Sequence, residues 1–106
     1  MELQEQTNSY TRDLRGVQVR LANMQRESRA TQATGHQISE LNAEVPLYRA
    51  VGKAFVATPR AEVEEKLEKD LETNIRNQRD LTDRVEYLER RIQSNTVNLK
   101  ELTAGL

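Results

Sequence analysis

From Leu67 to Leu102 one pattern repeats: Leu67, Leu71, Asn74, Gln78, Leu81, Val85, Leu88, Ile92, Asn95, Leu99 and Leu102 follow one another at alternating steps of four and three. Eight of these eleven positions are apolar. Steps of four and three average the period of a helix wound against a partner helix, so the stretch is predicted as coiled coil rather than as merely amphipathic helix. Asn74, Gln78 and Asn95 interrupt the seam, and polar residues at such positions weaken packing while fixing register or partner choice. Thr58 suits an N-cap, Pro59 the first helical position, and Glu62, Glu64 and Glu65 lie where the helix dipole favours acids. This predicts a helix over 59–103, ending ahead of Gly105.

The N-terminal arm repeats the motif less cleanly. Tyr10, Leu14, Val17, Leu21 and Met24 again step by four and three, with Leu3 upstream. Gly16 falls inside the helix at a cost of about 1 kcal/mol relative to Ala and is expected on the solvent face. After Met24 the apolar seam fades into Ser28, Thr31 and Thr34. The helix is therefore expected to run from about Leu3 to about Gln32. A break follows at 34–36, with Gly35 as the C-terminal glycine and His36 as a polar loop residue. Ile38, Leu41 and Val45 then give a short amphipathic turn or two before Pro46, so the whole arm spans 3–45.

Between the arms lies the one stretch that does not read as helix, Leu47 to Ala57. Gly52-Lys53 suits a two-residue turn whose first central position needs φ > 0. Pro46 and Pro59 bracket the segment, and neither fits a helix interior. A hairpin over 47–57 would put Tyr48, Ala50, Phe55 and Ala57 on one face and Arg49, Val51, Ala54 and Val56 on the other. A lone two-stranded hairpin is marginal in water and has two open edges, so other subunits are expected to complete the sheet. The alternative is a hydrophobic interhelical loop packed on its own helices.

Two arms of 43 and 45 residues flank this midpoint, which favours folding back side by side with both termini at the far tip. The fold class is therefore mainly α: an antiparallel two-helix coiled coil with a short central β-hairpin, one domain over residues 1–106.

Composition narrows the function. Of 106 residues, 36% are hydrophobic and 31% charged, and the mean hydropathy is −0.83, too polar for a compact single-core globule but suited to long solvated helices. Sixteen basic and seventeen acidic residues leave a net charge of −1, which argues against nucleic acid or an anionic membrane as the main partner. Without cysteine there is no disulfide or thiol chemistry. The acidic start lacks the basic and apolar regions of a signal peptide, and no apolar run approaches the ~20 residues of a membrane span, so a soluble cytoplasmic protein is expected.

No enzyme constellation is present. There is no Gly-rich phosphate loop, no Cys nucleophile and no histidine but His36, which has no Cys or second His with which to share a metal. Runs such as Glu64-Glu65-Lys66 and Glu68-Lys69-Asp70 read as solvated helix faces, and Tyr87, between seam positions, is expected exposed. We expect no catalytic, cofactor or metal site. The distal tip offers Leu3, Tyr10, Leu14, Leu99, Leu102 and Leu106, whose two possible roles are weak contact with a non-native apolar surface and completion of the coiled coil.

The sequence Tyr48-x-x-Val51-Gly52-x-x-Phe55-Val56, between a long helix and a heptad helix, resembles a β-type prefoldin subunit over nearly the whole chain. Val51 to Phe55, Tyr87-Leu88-Glu89 and the ending Asn98-Leu99-Lys100-Glu101-Leu102 look most like one branch of the eukaryotic β-type paralogues. The resemblance implies a heterohexamer of two α-type and four β-type subunits, with hairpins joined into a β-barrel platform. Coiled-coil tips would capture unfolded actin and tubulin and deliver them to the cytosolic group II chaperonin, without ATP. Tyr48, Val51, Gly52, Phe55 and Val56 would then be assembly residues, and the six tip residues would bind client.

Two competing readings remain. A plain coiled-coil adaptor or tethering protein would favour one uninterrupted helix, against Pro46, Gly52 and Pro59. A three-helix tubulin-folding cofactor would need 47–57 to be helical.

Overall fold

A computed structural model describes residues 2–105. Its elements are helix α1 (Glu2–Glu40), strands β1 (Leu47–Val51) and β2 (Ala54–Thr58), and helix α2 (Arg60–Ala104). The two long helices with a two-stranded antiparallel hairpin between them are the architecture the heptads and the Gly-Lys turn predict. Strands at 47–51 and 54–58 exclude a helical linker there.

Two compact units divide the chain: Met1–Gln25 with Asn77–Leu106, and Arg26–Arg76. In the first, the helices run antiparallel. Asn95 Nδ2 donates to Gln6 Oε1 at 3.2 Å, and Arg91 Nη2 donates to the Tyr10 hydroxyl at 3.3 Å, so four residues forward on α1 match four residues back on α2. Leu88, fully buried, is the core of this unit among the described residues. The second unit contains the hairpin, and here the beginning of α2 meets the end of α1 through Arg60.

Along α2 the residues shielded from solvent beyond Val63 are Leu67, Leu71, Asn74, Gln78, Leu81, Val85, Leu88, Ile92, Asn95 and Leu99, which is the predicted seam without omission up to Leu99. Leu102, its last member, is 51% exposed. Asn74 and Asn95 are buried polar members of the stripe. Such groups must keep hydrogen bonds to avoid a penalty, and no buried side-chain polar atom among the described residues lacks one.

Helix α1 corrects the expected break. It is continuous through 34–36 and ends at Glu40. Its shielded stripe does not fade at Met24 but passes on through Ser28, Thr31, Gly35 and Ile38 at the same steps of four and three. The period persists while the residues change from large apolar to small. Ser28 is buried, and the Thr34 hydroxyl, outside the stripe, donates to its own helix at the Ala30 carbonyl. Gly35 is therefore a seam residue of ordinary φ rather than a C-terminal cap, and His36 stands on the exposed helix surface beside Glu40, 3.0 Å away. Leu41 and Val45, expected in an amphipathic turn, lie exposed in the irregular link 41–46. Gly16 is exposed in mid-helix, as expected.

A Cβ built on Gly35 would meet nothing within 4 Å. Gly35→Ala is thus expected to stabilise the chain by about 0.5–1 kcal/mol, because Ala loses less backbone entropy in a helix. Thermal unfolding followed by circular dichroism checks this; a lowered midpoint would restore a helix end at this glycine.

The hairpin register pairs Leu47 with Thr58, Tyr48 with Ala57, Arg49 with Val56, Ala50 with Phe55 and Val51 with Ala54. Opposed residues share a face, so the two predicted faces are those observed. Gly52 has φ +62°, and Lys53 stays out of the positive-φ region, as a turn with glycine at its first central position requires. Strand β2 extends one residue further than expected. Thr58 is its last residue, not an N-cap, and its hydroxyl donates to the Val56 carbonyl at 3.0 Å. Pro59 takes the cap position instead, with its carbonyl accepting from the Val63 N–H. The physical reason is the residue order: a residue preceding proline is driven to extended conformation, and pairing with Leu47 holds Thr58 there.

Candidate functional site

The hairpin presents an apolar surface that the chain itself leaves open. Phe55 is 76% exposed and Tyr48 61%, both on the same face; Val51 and Val56 are about half exposed on the other. Pro46, Leu47, Tyr48 and Phe55 border a shallow apolar depression. Both faces being open, neither acts as the buried side of a sheet within this chain.

The backbone is open as well. In a hairpin closed by a two-residue turn, paired residues alternate between those that exchange ladder hydrogen bonds and those that turn their N–H and C=O outward. Counting from the turn, Val51 with Ala54, Arg49 with Val56 and Leu47 with Thr58 exchange bonds. Tyr48 and Ala50 on β1, and Phe55 and Ala57 on β2, therefore face outward. No third strand is present among the described residues, so both edges are unpaired. The same four residues carry the exposed aromatic face and the open backbone groups, which is what a strand-adding partner engages.

Arg60 is a feature the sequence pattern did not flag. Its Nη1 donates to the Leu41 carbonyl at 2.9 Å and its Nη2 to the Ile38 carbonyl at 2.6 Å, while Nε is held by Glu64 Oε1 at 2.9 Å. The Ile38 carbonyl is one of the last four of α1, which have no partner within the helix, and the Leu41 carbonyl lies just past the helix end.

In the unit formed by 1–25 and 77–106, Leu3, Tyr10, Leu14 and Leu99 are half-buried on the stripes and Leu102 is exposed. Leu106 lies outside the described residues. Tyr10 is braced by Arg91, whose guanidinium stands 5.6 Å from the ring centre as well as bonding the hydroxyl. That hydrogen bond to Tyr10 is the main reason the Arg91 pKa is raised further above its already high value. Val97, off the heptad and therefore not singled out from sequence, is 47% exposed and shares a shallow groove with Leu14 and Ile92. Tyr87 is partly exposed beneath Arg84, 5.3 Å from the ring centre.

Among the described residues there is no cluster of His, Cys, Asp or Glu able to hold a metal, and no helix long and apolar enough to cross a membrane. The carboxylates of α2 form exposed i,i+4 pairs, Lys66 with Asp70, Lys69 with Glu65 and Arg90 with Glu86, each worth only about 0.3–0.5 kcal/mol.

An open two-stranded hairpin set between two long heptad helices is the class of structure that the described residues define. Comparison with known proteins gives the family. The family model described as "Prefoldin subunit" matches residues 1–105, and the chain belongs to that family, which consists of chaperones and not enzymes. Among solved structures, the prefoldin beta subunit from Thermococcus strain KS-1 is similar at 27% identity and a TM-score of 0.63, over 98% of this chain and 85% of that one. No curated protein sequence matches this chain.

Proposed function

We propose that this chain is a β-type subunit of the hexameric prefoldin co-chaperone, assembled with two α-type and other β-type subunits. Within that family its sequence is most like eukaryotic prefoldin subunit 1, on the strength of Val51 to Phe55, Tyr87-Leu88-Glu89 and Asn98 to Leu102. The observation that carries the reading is the hairpin. Tyr48, Val51, Phe55 and Val56 are exposed and both strand edges are open in a chain of the prefoldin family, so the sheet is completed by neighbouring subunits. Gly52 supplies the turn that sets the register.

The assembled complex acts in the cytoplasm. Leu3, Tyr10, Leu14, Leu99, Leu102 and Leu106 contribute to tips that hold unfolded actin and tubulin and release them to the group II chaperonin. Such holding needs adaptable apolar contact rather than a shaped cavity, and it uses no nucleotide. Half-buried leucines at a coil end can supply it by fraying.

The test is reconstitution with partner subunits and measurement of the aggregation of actin diluted from denaturant. The wild-type complex is expected to suppress aggregation. A chain ending at Asn98 is expected to assemble normally and to lose a several-fold share of this chain's contribution. Unchanged suppression by the truncated complex would remove the tip from the account, and a wild-type complex that holds no client would remove the chaperone reading.

A further inference from the structure

The hairpin is attached to its two helices very unequally. On one side β2 passes into α2 through Pro59 alone, whose ring fixes φ near −65° and keeps Thr58 extended, so strand and helix are stiffly joined. On the other side β1 is reached through residues 41–46, all exposed. Its first residue is held to α1 by the Leu41 N–H on the Ile38 carbonyl, and beyond that the link has a local turn from the Val45 N–H to the Asn42 carbonyl and a bond from the Glu44 N–H to Asn42 Oδ1. From Asn42 to Val45 these bonds are local and reach neither α1 nor β1.

Arg60 supplies what the link lacks. It is the first residue of α2, yet two of its nitrogens reach the Ile38 carbonyl in the last turn of α1 and the Leu41 carbonyl just past its end, 22 and 19 residues earlier. Helix α1 has no basic residue in its last turn, so the negative end of its dipole has no local cation, and the Ile38 carbonyl is bonded otherwise only by the Leu41 N–H at 3.1 Å. Glu64, one turn along α2, takes the third arm of the guanidinium and fixes its plane. A planar fork used on three acceptors leaves little rotational freedom, which a lysine could not reproduce. We infer that Arg60 is a positioning residue for assembly, a clasp that ties the end of α1 to the start of α2 and so presents the hairpin in one orientation to the neighbouring subunits.

The inference rests on the proposed role of the hairpin, and its consequence is quantitative. A partner that binds one orientation sees an affinity reduced by the fraction of chains holding that orientation. If releasing the clasp leaves about a tenth of chains competent, the apparent Kd rises about tenfold.

The experiment uses the full chain with Arg60→Met, which keeps an apolar stem, and Arg60→Lys, which keeps the charge. Binding to an α-type prefoldin subunit is titrated, and backbone hydrogen exchange is followed in the free chain. Arg60→Met is expected to weaken binding about tenfold and to speed exchange over 36–51 while leaving 85–99 unchanged. Arg60→Lys should fall between Met and wild type, because one ammonium cannot span both carbonyls and the carboxylate. Wild-type affinity in either variant overturns the inference. So does a uniform rise in exchange along both helices, which would make Arg60 a residue of general stability. Failure of the wild-type chain to bind any α-type subunit would instead overturn the assembly reading, and the exchange pattern would still report on the clasp.

Discussion

Phe55→Asp is expected to abolish incorporation into a prefoldin complex while leaving the chain's own folding untouched. The two halves of this expectation have separate grounds. In the free chain Phe55 is 76% exposed, so replacing it removes almost no buried area and exposes the new carboxylate to water. Surface substitutions of this kind change stability by less than about 0.5 kcal/mol. In the assembly the ring lies on the face shared with Tyr48, Ala50 and Ala57, next to outward-facing backbone groups that a neighbouring strand would pair. Burying an unpaired carboxylate there costs several kcal/mol, and each 1.4 kcal/mol is tenfold in affinity, so a loss of at least about a hundredfold is expected. Titration against an α-type subunit, with a thermal melt of the free variant alongside, reads both halves. Normal incorporation would show that this face stays in solvent in the complex.

The second large effect concerns the coil itself. Leu88→Ala is expected to destabilise the chain by about 2–4 kcal/mol, because Leu88 is fully buried and large-to-small changes at such sites lose both transfer energy and packing. For a chain of this size that is a fall of about 10–20 °C in Tm. Leu102→Ala, at a position of the same heptad that is half exposed, should move the midpoint by no more than a few degrees. A melt monitored at the helical circular-dichroism band separates them. Equal effects would mean that the packing core of this unit is not centred on Leu88.

How much of this could be read from sequence differs by element, for physical reasons. The seam of α2 was readable because leucines fill most of its positions, and its polar members keep the step of four and three. In α1 the same step continues past Met24, but Ser28, Thr31 and Gly35 occupy it. A reading that weighs hydrophobicity more than period stops there, and a glycine beside a polar run then looks like a helix end. The hairpin register followed from Gly52-Lys53 alone, since a two-residue turn leaves one pairing. The Thr58–Pro59 boundary is ambiguous in sequence because the same two residues suit both an N-cap and the end of a strand, and the partner Leu47 decides between them. Arg60 gave no local signal at all. Two of its partners are backbone carbonyls, which no residue identity reveals. Val97 escaped for a related reason: off the heptad, it is one apolar residue among polar ones, and its exposure beside Leu14 and Ile92 depends on the folded surface.

Whether the hairpin is an assembly element is read from the native mass of this chain, alone and co-expressed with α-type and other β-type prefoldin subunits. A heterohexamer containing one copy of this chain, formed only in the presence of those subunits, is expected. A stable homodimer that ignores them would contradict it, reducing residues 47–58 to a loop and the protein to a plain coiled-coil adaptor.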